Sequence, residues 1–233
     1  SQARIKGSDM GGNWLALLIG FSILLGGSPA WASPLEHRLE LWPNWTLPAP
    51  LSRPSSRDDL IYPQWFQGRW QVESIDLDHL DQPAITHEAR FIANSQNRLV
   101  GDRAFNANAI GRALLGDQLL RVEDDPKSSN RQMAQLSGDR RLETTVIGRR
   151  QVSPDADTFL ADELVLQILH APGPPRLSQV ETLSRYQRCG LEICAEQWQG
   201  VFPPQGEKLR DSIQSSHHYQ LRFTPLPGSA PST

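Results

Sequence analysis

Cysteine is scarce in this chain: there are two in 233 residues, Cys189 and Cys194, within one short stretch. Two thiols without a neighbouring histidine cluster cannot assemble the four ligands of a structural zinc. The phosphate-binding loop, the glycine-rich dinucleotide turn and the zinc signatures are all missing, so nucleotide and metal chemistry have no anchor. Neither sign of charge dominates, with 23 Lys and Arg against 26 Asp and Glu and a net charge of −3. Nucleic-acid binding needs a clustered basic surface, which this balance does not supply. Histidines are dispersed, at His79, His87, His170, His217 and His218, and no serine or acidic residue stands in a nucleophile elbow with them. In a regular strand His217 and His218 point to opposite faces and cannot share a metal. The expectation is a protein with no metal, no cofactor and no catalytic constellation.

What is present starts at the N-terminus. Arg4 and Lys6 precede an apolar run from Trp14 to Leu25, and Gly26, Gly27, Ser28 and Pro29 interrupt it before Ala30-Trp31-Ala32. The run, about 12 residues, is short of the about 20 that cross a bilayer, and the small-x-small boundary predicts cleavage before Ser33. Residues 1–32 therefore read as an export signal, and the mature chain as an extracytoplasmic protein without a transmembrane span. An oxidising compartment would let Cys189 and Cys194 close a disulfide across the turn Gly190-Leu191-Glu192-Ile193. A loop this small contributes about 2 kcal/mol.

Residues 33–60 hold five prolines and two tryptophans without a sustained apolar period, which predicts an extended arm or linker. Trp42 and Trp45 are costly to leave in water, so they pack on the domain or serve as contacts for a partner. From Tyr62 onward the apolar period is close to two, interrupted by Gly, Pro, Asn and Asp. Strands are predicted near 65–77, 85–93, 119–123, 131–136, 141–152, 163–170, 179–188, 193–202 and 218–224. Nine antiparallel strands at this spacing predict an all-β domain over residues 61–225, closed into a barrel. A single short helix is expected from Ala104 to Leu115, and a disordered Pro, Gly and Ser tail over 226–233.

The segment Phe66-Gln67-Gly68-Arg69-Trp70 opens the first predicted strand, and its Gly68-x-Trp70 resembles the entry motif of lipocalins and the wider calycins. The resemblance implies a closed calycin-like barrel of about eight to nine strands. In it Gly68 leaves room at the closed end, Trp70 plugs that end, and Arg222 on the last strand stacks on the indole, for about 0.5 to 2 kcal/mol. A longer pattern is Tyr62-Pro63, Trp65-Phe66, Asp102-Arg103-x-Phe105-Asn106, Asn130-Arg131, Gly138-Asp139-Arg140 and Val180-Glu181-Thr182. It is similar to a family of exported proteins of cyanobacteria and chloroplasts, which implies a thylakoid-lumen or periplasmic location and carries no activity, ligand or catalytic residue. The cysteine pair is not part of that pattern.

The polar cluster at the helix entrance offers the best candidate site. Asp102 is placed to cap the helix, and Arg103 and Asn106 to orient a ligand or to form part of the barrel rim. Two functions compete. One is an interaction or assembly factor that presents its rim and the Trp42-Trp45 arm to a membrane-bound photosynthetic complex in the lumen. The other is lipocalin-like binding of a small hydrophobic ligand such as a lipid, pigment or quinone-like compound. Interior volume separates them. Phe66, Trp70, Phe91, Tyr219 and Phe223 could plug the barrel themselves, whereas a carrier must leave about 300 Å³ or more.

Overall fold

The structure, a computed structural model, describes residues 33–204 and 213–228. Residues 1–32, expected to be an export signal, and the end of the expected disordered tail beyond Gly228 lie outside the described residues. Ten strands are present: β1 (Gly68–Asp76), β2 (Ile85–Ala93), β3 (Leu99–Gly101), β4 (Leu119–Asp125), β5 (Ser128–Leu136), β6 (Arg140–Asp155), β7 (Thr158–His170), β8 (Arg176–Cys189), β9 (Glu192–Phe202) and β10 (Ser215–Pro225). They form one antiparallel sheet in the order β3-β2-β1-β10-β9-β8-β7-β6-β5-β4. The first and last long strands are neighbours, with Val72 opposite Phe223. The sheet's two edges are therefore β3 and β4, in the middle of the sequence.

The sheet curls strongly, since Tyr62 touches both Phe91 of β2 and Phe159 of β7. It does not form the closed barrel of eight or nine strands expected from the spacing. It is an open half-barrel of ten strands, and helix α2 (Arg103–Leu115) lies against both β2 and β4 at the gap. The reason is visible at β3, which is only three residues long. Its Leu99 carbonyl accepts from the Tyr62 amide at 2.9 Å. The chain then turns into α2 under an Asp102 cap, with the Asp102 amide on the Arg90 carbonyl at 2.9 Å. At three residues, with its Leu99 carbonyl already taken by Tyr62, β3 offers β4 little edge to join. The helix approaches β4 closely at Gly111, where an added Cβ would lie 2.7 Å from Leu119.

A second helix, α1 (Pro34–Glu40), was not expected. Ser33 and Glu36 close a capping box at its start, and Pro34 occupies its first turn. The arm lies on the domain as a strap. Leu35 and Trp45 join Leu160, Leu183, Trp198 and Phe202 in an apolar cluster on the convex face of β7–β9. Gly200 admits the Trp45 ring, whose Cε3 would sit 3.2 Å from an added Cβ, and Gly148 admits Leu51 at 2.6 Å. The arm then pairs with β6, Arg149 N–H donating to Ser52 O at 2.9 Å, and finishes on the concave side at Leu60 and Tyr62.

Candidate functional site

Alternation along the strands puts Trp70 and Val72, Ala89 and Phe91, Phe159 and Ala161, and Leu221 and Phe223 on the concave face. Phe66 lies at the centre of this face, fully buried, with the rings of Tyr62, Trp65, Phe91, Phe159, Tyr186 and Phe223 at centroid distances of 4.6–6.2 Å. Trp70 donates its indole N–H to Phe66 O at 2.7 Å. This aromatic mass fills one part of the trough. Beside it, between the sheet and α2, a cavity of about 330 Å³ is left. Its apolar wall includes Val72, Ala89, Phe91, Ile110 and Phe223. Its polar wall includes Asp59, Ser74, His87, Arg103, Gln132, Glu163 and Gln197.

Two ion pairs organise the polar wall. Arg103 donates to Asp59 through Nε at 3.1 Å and Nη2 at 2.5 Å. Burial opposes the Arg103 charge, but the Asp59 hydrogen bonds and charge outweigh it and hold the guanidinium above its usual pKa. Glu163 accepts from Arg149 through Oε2 alone, from Nε at 3.0 Å and Nη2 at 2.7 Å. Arg149 is fixed from behind by Asp58 O and Asn130 Oδ1, each at 2.9 Å. Burial, with smaller help from Tyr186 and Glu163, pushes the Tyr62 phenol well above its ordinary pKa, so it stays protonated.

The predicted site residues divide. Arg103 and Asn106 line the cavity, whereas Asp102 turns to Arg90, accepting from Nε at 2.8 Å and Nη2 at 2.5 Å, and caps the Phe105 amide. Asn106 has spent both ends of its amide on the Arg90 backbone, accepting from N at 2.7 Å and donating to O at 3.0 Å. The Arg90 guanidinium also lies 4.3 Å from the Phe105 ring centre. Asp102-Arg103-x-Phe105-Asn106 is thus chiefly a latch that ties α2 to β2 and to the arm. Arg103 is the member that remains in the site.

One other expectation is corrected. Arg222 does not stack on Trp70, because it pairs opposite Glu73 on the convex face and reaches Glu192 at 3.5 Å, while Trp70 faces inward against Phe223. The period of two separates them. Of the two alternatives for the tryptophans, the structure has packing on the domain: Trp45 is 1 % exposed, its N–H donates to Arg38 O at 3.0 Å, and Trp42, half-buried, meets it edge-on at 4.8 Å. Gly68 opens β1 at φ 107°, a backbone conformation that L side chains rarely adopt. Cys189 and Cys194 are joined across the β8–β9 hairpin, with Cα atoms 5.9 Å apart. His217 and His218 point to opposite faces, the latter stacking on Trp198 at 5.0 Å. Among the described residues no group of three or more metal-ligating side chains converges.

Missing from the sequence reading is a charged cluster beneath the arm. Arg38 donates to both oxygens of fully buried Glu181, at 2.9 and 2.7 Å, and the Ala49 amide donates to the same carboxylate at 3.0 Å. Asp162, also fully buried, lies 4.0 Å from Arg150. Burial first, then the Glu181 charge and a hydrogen bond shared with Glu181, raise its pKa to about 8 against the pull of Arg150 and Arg38. Glu163 and Arg149 were missed for the same reason. A charged residue in an alternating strand reads as solvent-facing until the element that covers it is known.

A sequence profile described as a domain of unknown function, DUF6816, matches residues 54–225, which begins within the arm and ends with β10. No curated protein and no solved structure matches the chain.

Proposed function

For this chain, which belongs to the DUF6816 family, we propose small-molecule binding in the concave cavity between α2 and the sheet. The observation that carries the reading is the contrast within one trough. Its aromatic end is packed solid, and about 330 Å³ beside it is lined by convergent polar groups and left unfilled. That volume stands at the lower end of ligand cavities and equals the share of about ten waters in the liquid. It favours a compact amphipathic ligand over a lipid, pigment or long-tailed quinone. The calycin likeness supports the same reading through Gly68-x-Trp70 and the pairing of first and last strands, although the gap bridged by α2 has no counterpart in the closed barrel expected.

The proposed location is extracytoplasmic, in a thylakoid lumen or periplasm. It is supported by the export-signal pattern before Ser33 and by the closed Cys189–Cys194 bridge. No helix among the described residues is long and apolar enough to cross a membrane. A second reading, an accessory factor docked on a membrane-bound photosynthetic complex, draws on the exposed Ile110, Leu114, Leu115 and Leu120 beside the gap. It no longer draws on the arm.

Ligand-observed NMR with a library of compounds of up to about 15 non-hydrogen atoms, with thermal shift as a second readout, tests the binding reading. Hits should be lost in Ser74→Phe, whose ring would occupy the cavity. Hits that survive this variant, or an empty screen, would count against it.

A further inference from the structure

We infer that the cavity takes a small organic ammonium, its nitrogen held at Glu163 and its apolar body laid over Phe91 and Phe223. This rests on the binding reading above and names its ligand class. Glu163 gives only Oε2 to Arg149, and its Oε1 has no hydrogen-bond partner among the described residues. Gln132 donates one amide N–H to Asp124 Oδ1 at 2.7 Å and keeps its carbonyl oxygen and a second N–H. The Glu163 Oε1 and the Gln132 carbonyl are thus acceptors without a partner on this wall, and an ammonium brings only donors. Each of the two lining carboxylates is balanced by a guanidinium, Asp59 by Arg103 and Glu163 by Arg149, so the selection rests on the oxygen that Glu163 leaves unpaired and not on net charge. The cavity is also lined by the Phe91 and Phe223 rings, against which a cation and its apolar neighbours are favoured.

Three near-isosteres separate the possibilities by isothermal titration calorimetry: 2-phenylethylammonium, 2-phenylethanol and 3-phenylpropionate. The ammonium should bind on the order of tenfold tighter than the alcohol, and the carboxylate weakest of the three. Glu163→Gln should remove the cation's advantage and leave the alcohol's affinity within about twofold. Because Glu163→Gln leaves Arg149 without its partner, Gln132→Met serves as a second variant that spares the ion pair, with a loss of about threefold expected for the cation alone. If the alcohol or the carboxylate binds as tightly as the ammonium and is displaced by Ser74→Phe, the ammonium assignment is overturned and the cavity remains a binding site. If none of the three binds, the assignment also fails, and the library screen decides the broader reading. A cation preference unchanged in both variants would overturn the role of this wall.

Discussion

Strand β7 carries Asp162 and Glu163 side by side, and the two carboxylates have opposite surroundings. Asp162 faces the convex side, where α1, Trp45 and Ala49 close over it and Glu181 so completely that neither is exposed. Glu163 faces the concave side, where one oxygen is paired and the other opens on a cavity. The same strands thus support one face filled by the chain's own arm and one face left partly empty. The strap side is built for closure, with glycines at two of the points where the arm touches down. The trough is built around an aromatic mass that stops short of filling it.

The largest effect should come from the aromatic mass. Phe66→Ala deletes the ring that six others touch and should cost about 3 to 5 kcal/mol in urea unfolding. A loss near 1 kcal/mol would mean that the trough is loosely packed throughout, and the contrast within it would disappear. On the strap side, Arg38→Ala strands a buried Glu181 and should cost a similar amount. Replacing both, Arg38→Met with Glu181→Leu, should recover most of that loss. An additive double mutant would show that the pair is not coupled.

Asp162 sharpens the comparison through pH. Its folded pKa is raised to about 8, from 3.8, so between those values the folded chain holds a proton that the unfolded chain releases. Its contribution is fully present below about pH 4 and is lost as pH rises through about 8, with a slope of at most about 1.4 kcal/mol per unit. Unfolding midpoints from pH 5 to 9 should fall in the native chain and flatten in Asp162→Asn, whereas Glu163→Gln should leave the slope in place. The smallest effect concerns Arg222, 67 % exposed in its side chain. Arg222→Ala should stay within about 0.5 kcal/mol and show no coupling to Trp70→Ala in a double-mutant cycle.

How much of this was legible follows from what a period can encode. Alternation located nine of the ten strands, with β2 matched at both ends, and helix α2 began one residue before its expected start. The tenth, Leu99–Gly101, is too short to show a period. Closure was misjudged because strand count does not say which edges are free, and here β3 is three residues long with its Leu99 carbonyl taken by Tyr62. Periodicity also assigns side chains to alternate faces without saying which face is covered, so Asp162, Glu163 and Glu181 carried no signal of burial. Arg222 could have been excluded as the Trp70 partner from register, had the pairing of Glu73 with Arg222 been known. The cavity is a property of residues that fail to meet, which no local pattern records.

The most direct measurement is backbone amide chemical-shift mapping on ¹⁵N-labelled protein spanning residues 33–233, titrated with 2-phenylethylammonium. Saturable shifts should concentrate at Ser74, His87, Arg103, Gln132 and Glu163, with the strap-covered positions Leu160, Leu183 and Trp198 unmoved. Saturable shifts centred on the strap-covered face, or none at the cavity, would contradict the cavity assignment.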